Sequence, residues 1–353
     1  MKAALICDTH FGAKNDDQNF ASYINDFYKN TFFPYLKKHN ISHIIHLGDI
    51  MDRRKYVSYL TAQQFRKNFI EPVLENNLIL DLIIGNHDTY FKHTNSLNSM
   101  RELVSGKEYK NITIIESPTC YQRYKNKVMY IPWINEENSK ETFDMIKELK
   151  PSLIFGHLEI AGFGMYKGVE NKDGLSSTVF DGVGMVFTGH YHHKSTKGNI
   201  NYLGAPYQIT WSDYDDARGF HVFDFDTYHL EYVENKNNLF EKIFYNDTKL
   251  DASEVNKMDF SNLKGKHVKV IVSEKNNPYL FDLVIEKIEK SGIAEMQVVD
   301  DHKHLDIIEN EDVVDETSDT LSIINDYVSN RKELPDPDRV KKLITELYNE
   351  AMS

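Results

Sequence analysis

Ile44-Ile45-His46-Leu47-Gly48-Asp49-Ile50-Met51-Asp52-Arg53 is the stretch that decides the fold. A short apolar run that stops at Gly-Asp reads as a buried strand whose C-terminal end opens into a loop carrying carboxylates. Two similar runs lie on either side of it. Ala3 to Cys7 stops at Asp8-Thr9-His10, and Leu80 to Ile84 stops at Gly85-Asn86-His87-Asp88. Further on, Leu153 to Phe155 precedes Gly156-His157, and Met185 to Thr188 precedes Gly189-His190-Tyr191-His192. Between the early runs, Phe20 to Lys38 and Tyr59 to Glu75 have helical spacing, the first with Tyr23, Ile24, Phe27 and Tyr28 on one side. Strands around Ile112 to Ile115, Val128 to Ile131 and Gly219 to Phe225 imply a second sheet packed on the first. The expected class is α/β, a four-layer α/β sandwich, with a small α+β capping domain and C-terminal helices.

Five polar motifs at five strand ends are hard to assign to structure alone. A lone Gly-His is more often a turn with a satisfied histidine than a ligand. Burying so many ionisable groups together costs several kcal/mol each unless they are paired or hold metal. Asp8, His10, Asp49, Asn86, His157, His190 and His192 make seven candidate ligands, more than one ion takes while leaving room for water and substrate. Imidazole nitrogen with carboxylate and amide oxygen suits Mn²⁺, Fe or Zn²⁺ better than the all-oxygen sites of Mg²⁺ and Ca²⁺. Asp49 is the candidate to bridge two ions about 3.5–4 Å apart. Gly48, Gly85, Gly156 and Gly189 each precede a candidate ligand, and each is expected to let the chain turn sharply out of its strand.

Composition bounds the rest. At 353 residues, with 41% hydrophobic and 27% charged, the chain has material for a catalytic unit plus an appendage. There is no apolar run of membrane-spanning length, and the start lacks the marks of a secretion signal. Two cysteines give neither a disulfide framework nor a paired thiolate site, so a cytoplasmic setting is expected, the host's if the chain is phage-encoded. The net charge of −13 looks wrong for a nucleic-acid enzyme, but it is unevenly spread. Residues 1–240 hold 26 basic against 29 acidic residues, and the remainder 15 against 25. Basic groups such as Arg53, Arg54 and Lys55, or Arg123, Lys125 and Lys127, are by themselves more often solvated faces than phosphate sites.

The expected boundaries are a catalytic domain over 1–240, closed by the polar stretch Asn235 to Asn238, a capping domain over 250–310, and a tail over 311–353. Within the cap, His267 to Val272, Tyr279 to Lys290 and Ile293 to Val299 spell strand, helix, strand. The tail offers an acidic linker, Glu309 to Glu316, then helices over Leu321 to Val328 and Val340 to Tyr348. In the last helix Val340, Leu343, Ile344, Leu347 and Tyr348 make one apolar stripe.

The pattern D-X-H, G-D-X-X-D-R, G-N-H-D, G-H and G-H-X-H resembles the calcineurin-like metallophosphoesterases, with all five elements in order over residues 8–192. Within that group the chain is similar to the SbcD-type recombination nucleases, above all the endonuclease subunit of tailed phages. Asp8-Thr9-His10-Phe11-Gly12, Ile131-Pro132-Trp133 with Glu136-Glu137-Asn138, and Tyr202-Leu203-Gly204-Ala205-Pro206 carry that narrower likeness. The resemblance implies one metal on Asp8, His10, Asp49 and His192 and another on Asp49, Asn86, His157 and His190. It makes His87 the general acid or transition-state stabiliser, with Asp88 orienting the imidazole through its distal nitrogen. It further implies two divalent ions, Mn²⁺ preferred with Mg²⁺ as the alternative, and in-line attack on a phosphodiester by a bridging hydroxide. Exonuclease action on duplex DNA and endonuclease action on single strands would serve DNA recombination, repair and replication. The implied partners are DNA, a second copy of the chain docked through helices such as Tyr59 to Glu75, and a coiled-coil ATPase of the SbcC type. No Walker A sequence occurs in this chain, so ATP would be bound by another. The rival readings are a phosphoprotein phosphatase or cyclic-nucleotide phosphodiesterase on the same scaffold, and a DNA-end-binding scaffold without catalysis. Arg54 after Arg53 and Asp88 after His87 depart from the phosphatase pattern, and decay would have emptied ligand positions that are all filled here.

Overall fold

The computed structural model describes residues 1–104, 109–166, 169–299, 328 and 339–344. Its first sheet runs in the spatial order His229–Glu234, Gly219–Asp224, Lys2–Ile6, His43–His46, Ile79–Ile83, Ile112–Ile115. The last four of these are parallel, and the two from the later chain add on antiparallel. The second sheet has the order Ser195–Lys197, Ile200–Tyr202, Met185–Gly189, Leu153–His157, Asn126–Ile131, Thr119–Arg123, with parallel strands at its centre.

Side-chain alternation explains why the sheets face each other. Along the first strand Ala4 and Ile6 enter the core beneath the helices, whereas Ala3, Leu5 and Cys7 point to the other face. There they meet Val128, Tyr130, Leu153, Phe155 and Phe187 of the second sheet. The outer face of that sheet, with Met129, Ile131, Ile154 and Val186, is covered by Ile146 of the Ser139–Leu149 helix and by Phe180. The order helix, sheet, sheet, helix is the four-layer sandwich expected from the sequence.

Both long helices carry a widened turn. Gln18–Asp26 passes through a π-helical turn at Phe27–Phe32 into Phe33–Lys38, and Tyr59–Phe65 passes through Arg66–Ile70 into Glu71–Glu75. Each widened turn runs directly into a proline, Pro34 or Pro72, which has no N–H for the ordinary ladder and whose ring would crowd the preceding turn.

A third, wholly parallel sheet follows, ordered Phe240–Asn246, His267–Glu274, Glu295–Val299 and covered by the helix Pro278–Lys290. The strand-helix-strand reading of the cap appears here, but the sheet also uses Phe240–Asn246, which lies ahead of the expected start at 250. Gln208 ties this unit to the sandwich by accepting the N–H groups of Leu239 and Phe240. The Lys269 ammonium sits 4.3 Å over the Trp211 ring. Residues 300–310, the acidic linker at 309–316 and most of both tail helices lie outside the described residues; 339–344 is helical, with Leu343 55% exposed. Among the described residues no helix is long and apolar enough to cross a membrane.

Candidate metal centre

The loops leaving the strand ends are laced together by their own backbones. Asp8 N–H donates to the Gly48 carbonyl (3.0 Å), and Thr9 and His10 N–H groups both donate to the Asp49 carbonyl (2.9 and 3.2 Å). That lacing holds Asp8, His10 and Asp49 in left-handed backbone, at φ 51°, 41° and 52°, and His190, whose N–H donates to Asp8 Oδ1 at 3.0 Å, also has a positive φ of 97°. Such conformations cost a non-glycine residue about 1–3 kcal/mol each and persist where surrounding structure over-determines them. The preceding glycines act differently from expectation. Gly48 has φ +94° and does turn the chain, but Gly85 lies outside that region and supplies space: a Cβ there would fall 2.2 Å from Asp49 Oδ1.

Two buried clusters result, Asp8–His10–His192 and Asp49–His157–His190, the ligating atoms of each lying within 4.8 Å of one another. His10 Nε2 and His192 Nε2 face each other at 3.0 Å, and Asn86 Oδ1 lies 2.9 Å from His157 Nε2 and 3.1 Å from His190 Nδ1. Asp49 Oδ2 stands between the clusters, 3.3 Å from His157 Nε2 and 4.0 Å from His10 Nε2. The His157 tautomer is set from behind: Nδ1–H donates to the Leu47 carbonyl at 2.7 Å, which turns Nε2 toward Asp49 and Asn86.

The electrostatics show a site that demands positive charge. Burial opposes charging His157, yet Asp49 beside it and the Leu47 carbonyl hold its pKa up at about 9. A proton on that ring takes the place of a cation. Burial likewise opposes ionisation of Asp49, and the His157 charge overcomes it, keeping Asp49 well below the carboxylate range. Burial, with the His157 charge adding to it, takes His190 down to about 3; burial, with His10 adding to it, takes His192 well below its usual value. The neutral His190 and His192 imidazoles and the ionised Asp49 carboxylate are in the protonation states that metal ligation requires, and His157 would reach its own by giving up its proton as a cation binds. The donor set therefore fits a pair of divalent ions.

His87 has a separate position. Its backbone N–H donates to Asp49 Oδ1 at 2.8 Å, its ring stands edge-on to His10, and Nδ1 lies 2.6 Å from the Asp52 carbonyl oxygen. Here the expected role of Asp88 is corrected: the imidazole is oriented by the Asp52 carbonyl. The Asp88 carboxylate is fully buried and accepts the backbone N–H groups of Ile50, Met51 and Gly85 at 2.9–3.0 Å. It braces two of the strand-end loops against each other. Burial, helped by Asp49, pushes its pKa up to about 6.

All nine candidate residues thus meet at one end of the sandwich. Trp133 joins them, its ring 5.2 Å from His190 and 6.1 Å from His157, centre to centre. Its signal in the sequence was its place, just past the end of the Asn126–Ile131 strand, as the five polar motifs lie past theirs. The basic triplets are mostly engaged: Arg53 pairs with Asp16, Arg54 donates to Thr89, and Arg123 pairs with Asp81.

Comparison with known proteins agrees with this geometry. Exonuclease subunit 1 of Enterobacteria phage T4 is 30% identical over 354 residues, covering 99% of each chain. A solved archaeal phosphodiesterase aligns at 13% identity over 67% of this chain and 100% of its own, with a TM-score of 0.34, a likeness too distant to bear on function. The family model for calcineurin-like phosphoesterases matches residues 1–194, a span that takes in every one of the nine candidate residues, and the chain belongs to that family of metal-dependent phosphoesterases.

Proposed function

We propose that the chain is the nuclease subunit of a DNA recombination and repair complex, hydrolysing phosphodiesters with two divalent ions, Mn²⁺ foremost. The observation that carries this reading is the pair of buried His/Asp clusters with Asp49 between them. Asp8, His10 and His192 would hold one ion, Asn86, His157 and His190 the other, and Asp49 both. Bound there, the ions would polarise the phosphate oxygens and supply an activated water. The chain's own part is positional. The Leu47 carbonyl keeps the Nε2 atom of His157 directed inward, and the Asp88 brace keeps Gly85 and Ile50 at the distance that seats Asp49. The hydrogen bond from His87 Nδ1–H to the Asp52 carbonyl fixes the ring edge-on to His10 beside the metal clusters, where the imidazole would give a proton to the leaving oxygen or stabilise the developing charge.

Exonuclease action on duplex DNA and endonuclease action on single strands belong to this proposal, as do a second copy of the chain and a coiled-coil ATPase that controls access. The whole-length likeness to a protein named as an exonuclease subunit supports them. The test is a substrate panel with Mn²⁺: duplex DNA, single-stranded DNA, a phosphopeptide and a cyclic nucleotide. Loss of both DNAs with the other two intact is the expected result. Turnover of the phosphopeptide or cyclic nucleotide instead would replace the nuclease reading with one of its rivals.

A further inference from the structure

Both chain segments that flank His87 run on into one shallow groove that the chemistry so far does not use. One wall continues from Asp52, whose carbonyl holds the His87 ring, through Arg54, Lys55 and Tyr56. The other continues from Asp88 through Tyr90 and returns at Leu97, and Ser99, tied by its N–H to the Asp88 carbonyl at 2.8 Å, forms part of the floor. The groove encloses about 210 Å³. That is below the roughly 300–1,000 Å³ of sites that engulf whole cofactors, and suits one planar ring.

Its walls are aromatic, exposed and rigid. Tyr56 is 61% and Tyr90 40% exposed, and Phe91 stands edge-on to Tyr90 with 4.7 Å between ring centres. The loop that carries Tyr90 is pinned. Tyr90 N–H donates to the Leu97 carbonyl at 3.0 Å, and the Asn95 amide donates to the Trp133 carbonyl at 2.9 Å. Arg54 clamps the two walls by donating to the Thr89 carbonyl and hydroxyl at 3.3 and 3.0 Å. A platform whose rings are already held loses little entropy when it stacks a ligand. The charge is also suited, because Arg54 and Lys55 line the groove with Glu102 as the acid in the lining, and Arg53 lies 4.9 Å over the Tyr56 ring.

We propose that this groove is a nucleobase subsite: an unpaired base beside the scissile phosphate stacks on Tyr90, with Tyr56 as the opposing wall and the basic side chains along the flanking phosphates. The assignment rests on the nuclease reading and deepens it. A base can enter only when it is out of the duplex, so the subsite favours single strands and frayed ends. Stacking of this kind is tolerant of base identity, since every base has a π face.

The experiment compares Tyr90→Ala, Tyr90→Phe and Tyr56→Ala with the parent, in Mn²⁺, on a single-stranded oligonucleotide and on bis(p-nitrophenyl) phosphate, a phosphodiester without a base. Both alanine variants are expected to raise KM for the oligonucleotide by about tenfold, the scale of one lost stack, while leaving turnover of the small diester unchanged and Tyr90→Phe near the parent. Abasic nucleotides placed in turn along the oligonucleotide should, at one position, reproduce the loss in the parent and add nothing in Tyr90→Ala. Equal loss on both substrates, or no loss on the oligonucleotide, overturns the subsite. So does a Tyr90→Ala variant whose sole change is a lower molecular mass in solution, which would make the groove an interface between copies. If the parent cleaved the small diester but no DNA, the nuclease reading itself would be at fault.

Discussion

His87 is the residue at which holding metal and doing chemistry separate. Its ring nitrogen is spoken for by Asp52, its N–H by Asp49, and the neighbouring clusters are complete without it. Replacing it by Asn preserves the backbone bond and removes the imidazole. His87→Asn is therefore expected to keep both Mn²⁺ ions and DNA affinity while slowing turnover by about 10²–10⁴, the usual scale for a positioned acid. Metal analysis alongside single-turnover kinetics checks this, and a variant that loses its metals would show that His87 is a ligand. Asp88, the next residue along the chain, is a different case. The sequence placed it beside the imidazole, but a carboxylate that satisfies three buried N–H groups cannot be freed for other work without orphaning them. That division of labour between adjacent residues depends on which loop each faces, and nothing in a one-dimensional pattern states it.

At the scale of elements, the sheets are held together at the end opposite the catalytic loops by a second polar cluster. Asp81, fully buried on the Ile79–Ile83 strand, receives His43 Nε2 at 2.9 Å, the Tyr130 hydroxyl at 2.9 Å and Arg123 at 2.9 and 3.2 Å, the last two residues coming from the other sheet. Burial alone would raise its pKa, but the hydrogen bonds and charges of His43, Arg123 and Tyr130 outweigh it and hold the carboxylate below its ordinary value. The stabilisation is thus fully present above the unfolded carboxylate pKa of about 3.9 and is lost as pH falls through the lower folded value. Asp81→Ala, which leaves Arg123 without its partner, is expected to cost about 3–5 kcal/mol at pH 7 and to flatten the acid limb of the stability curve, with Mn²⁺ affinity unchanged. Denaturant unfolding between pH 3 and 7 checks both. The elements that were legible in sequence are the buried ones. Lys2–Ile6, His43–His46 and Ile79–Ile83 are near-continuous apolar runs because both faces are covered. Thr119–Arg123, Ser195–Lys197 and His229–Glu234 are half-exposed edge strands with no such run, and they went unread. Phe240–Asn246 was missed because its neighbour, the polar stretch at 235–238, reads as a linker, although its Asn235 is buried and bound to the Pro206 carbonyl.

Taken as a whole molecule, the chain brings its candidate ligands together at one end of a sandwich, and the proposed ATPase partner would meet it through the tail. The apolar stripe expected at Val340 to Tyr348 falls mostly outside the described residues, but Leu343 is more than half exposed where it is described. Removing residues 312–353 is expected to leave melting temperature, metal binding and the proposed single-strand cleavage unchanged while abolishing co-purification with the proposed ATPase partner. A truncated protein that melts far lower yet retains its partner would assign the tail to the core instead. The nuclease reading itself depends on the two clusters acting as one centre drawn from both sheets, with Asp8, His10 and Asp49 supplied by the first and His157, His190 and His192 by the second. Anomalous scattering from a crystal soaked in Mn²⁺ tests that claim most directly. The account predicts two peaks per chain about 3.5–4 Å apart, one against Asp8, His10 and His192, the other against Asn86, His157 and His190, with Asp49 touching both. A single peak, or two that do not share Asp49, would contradict it.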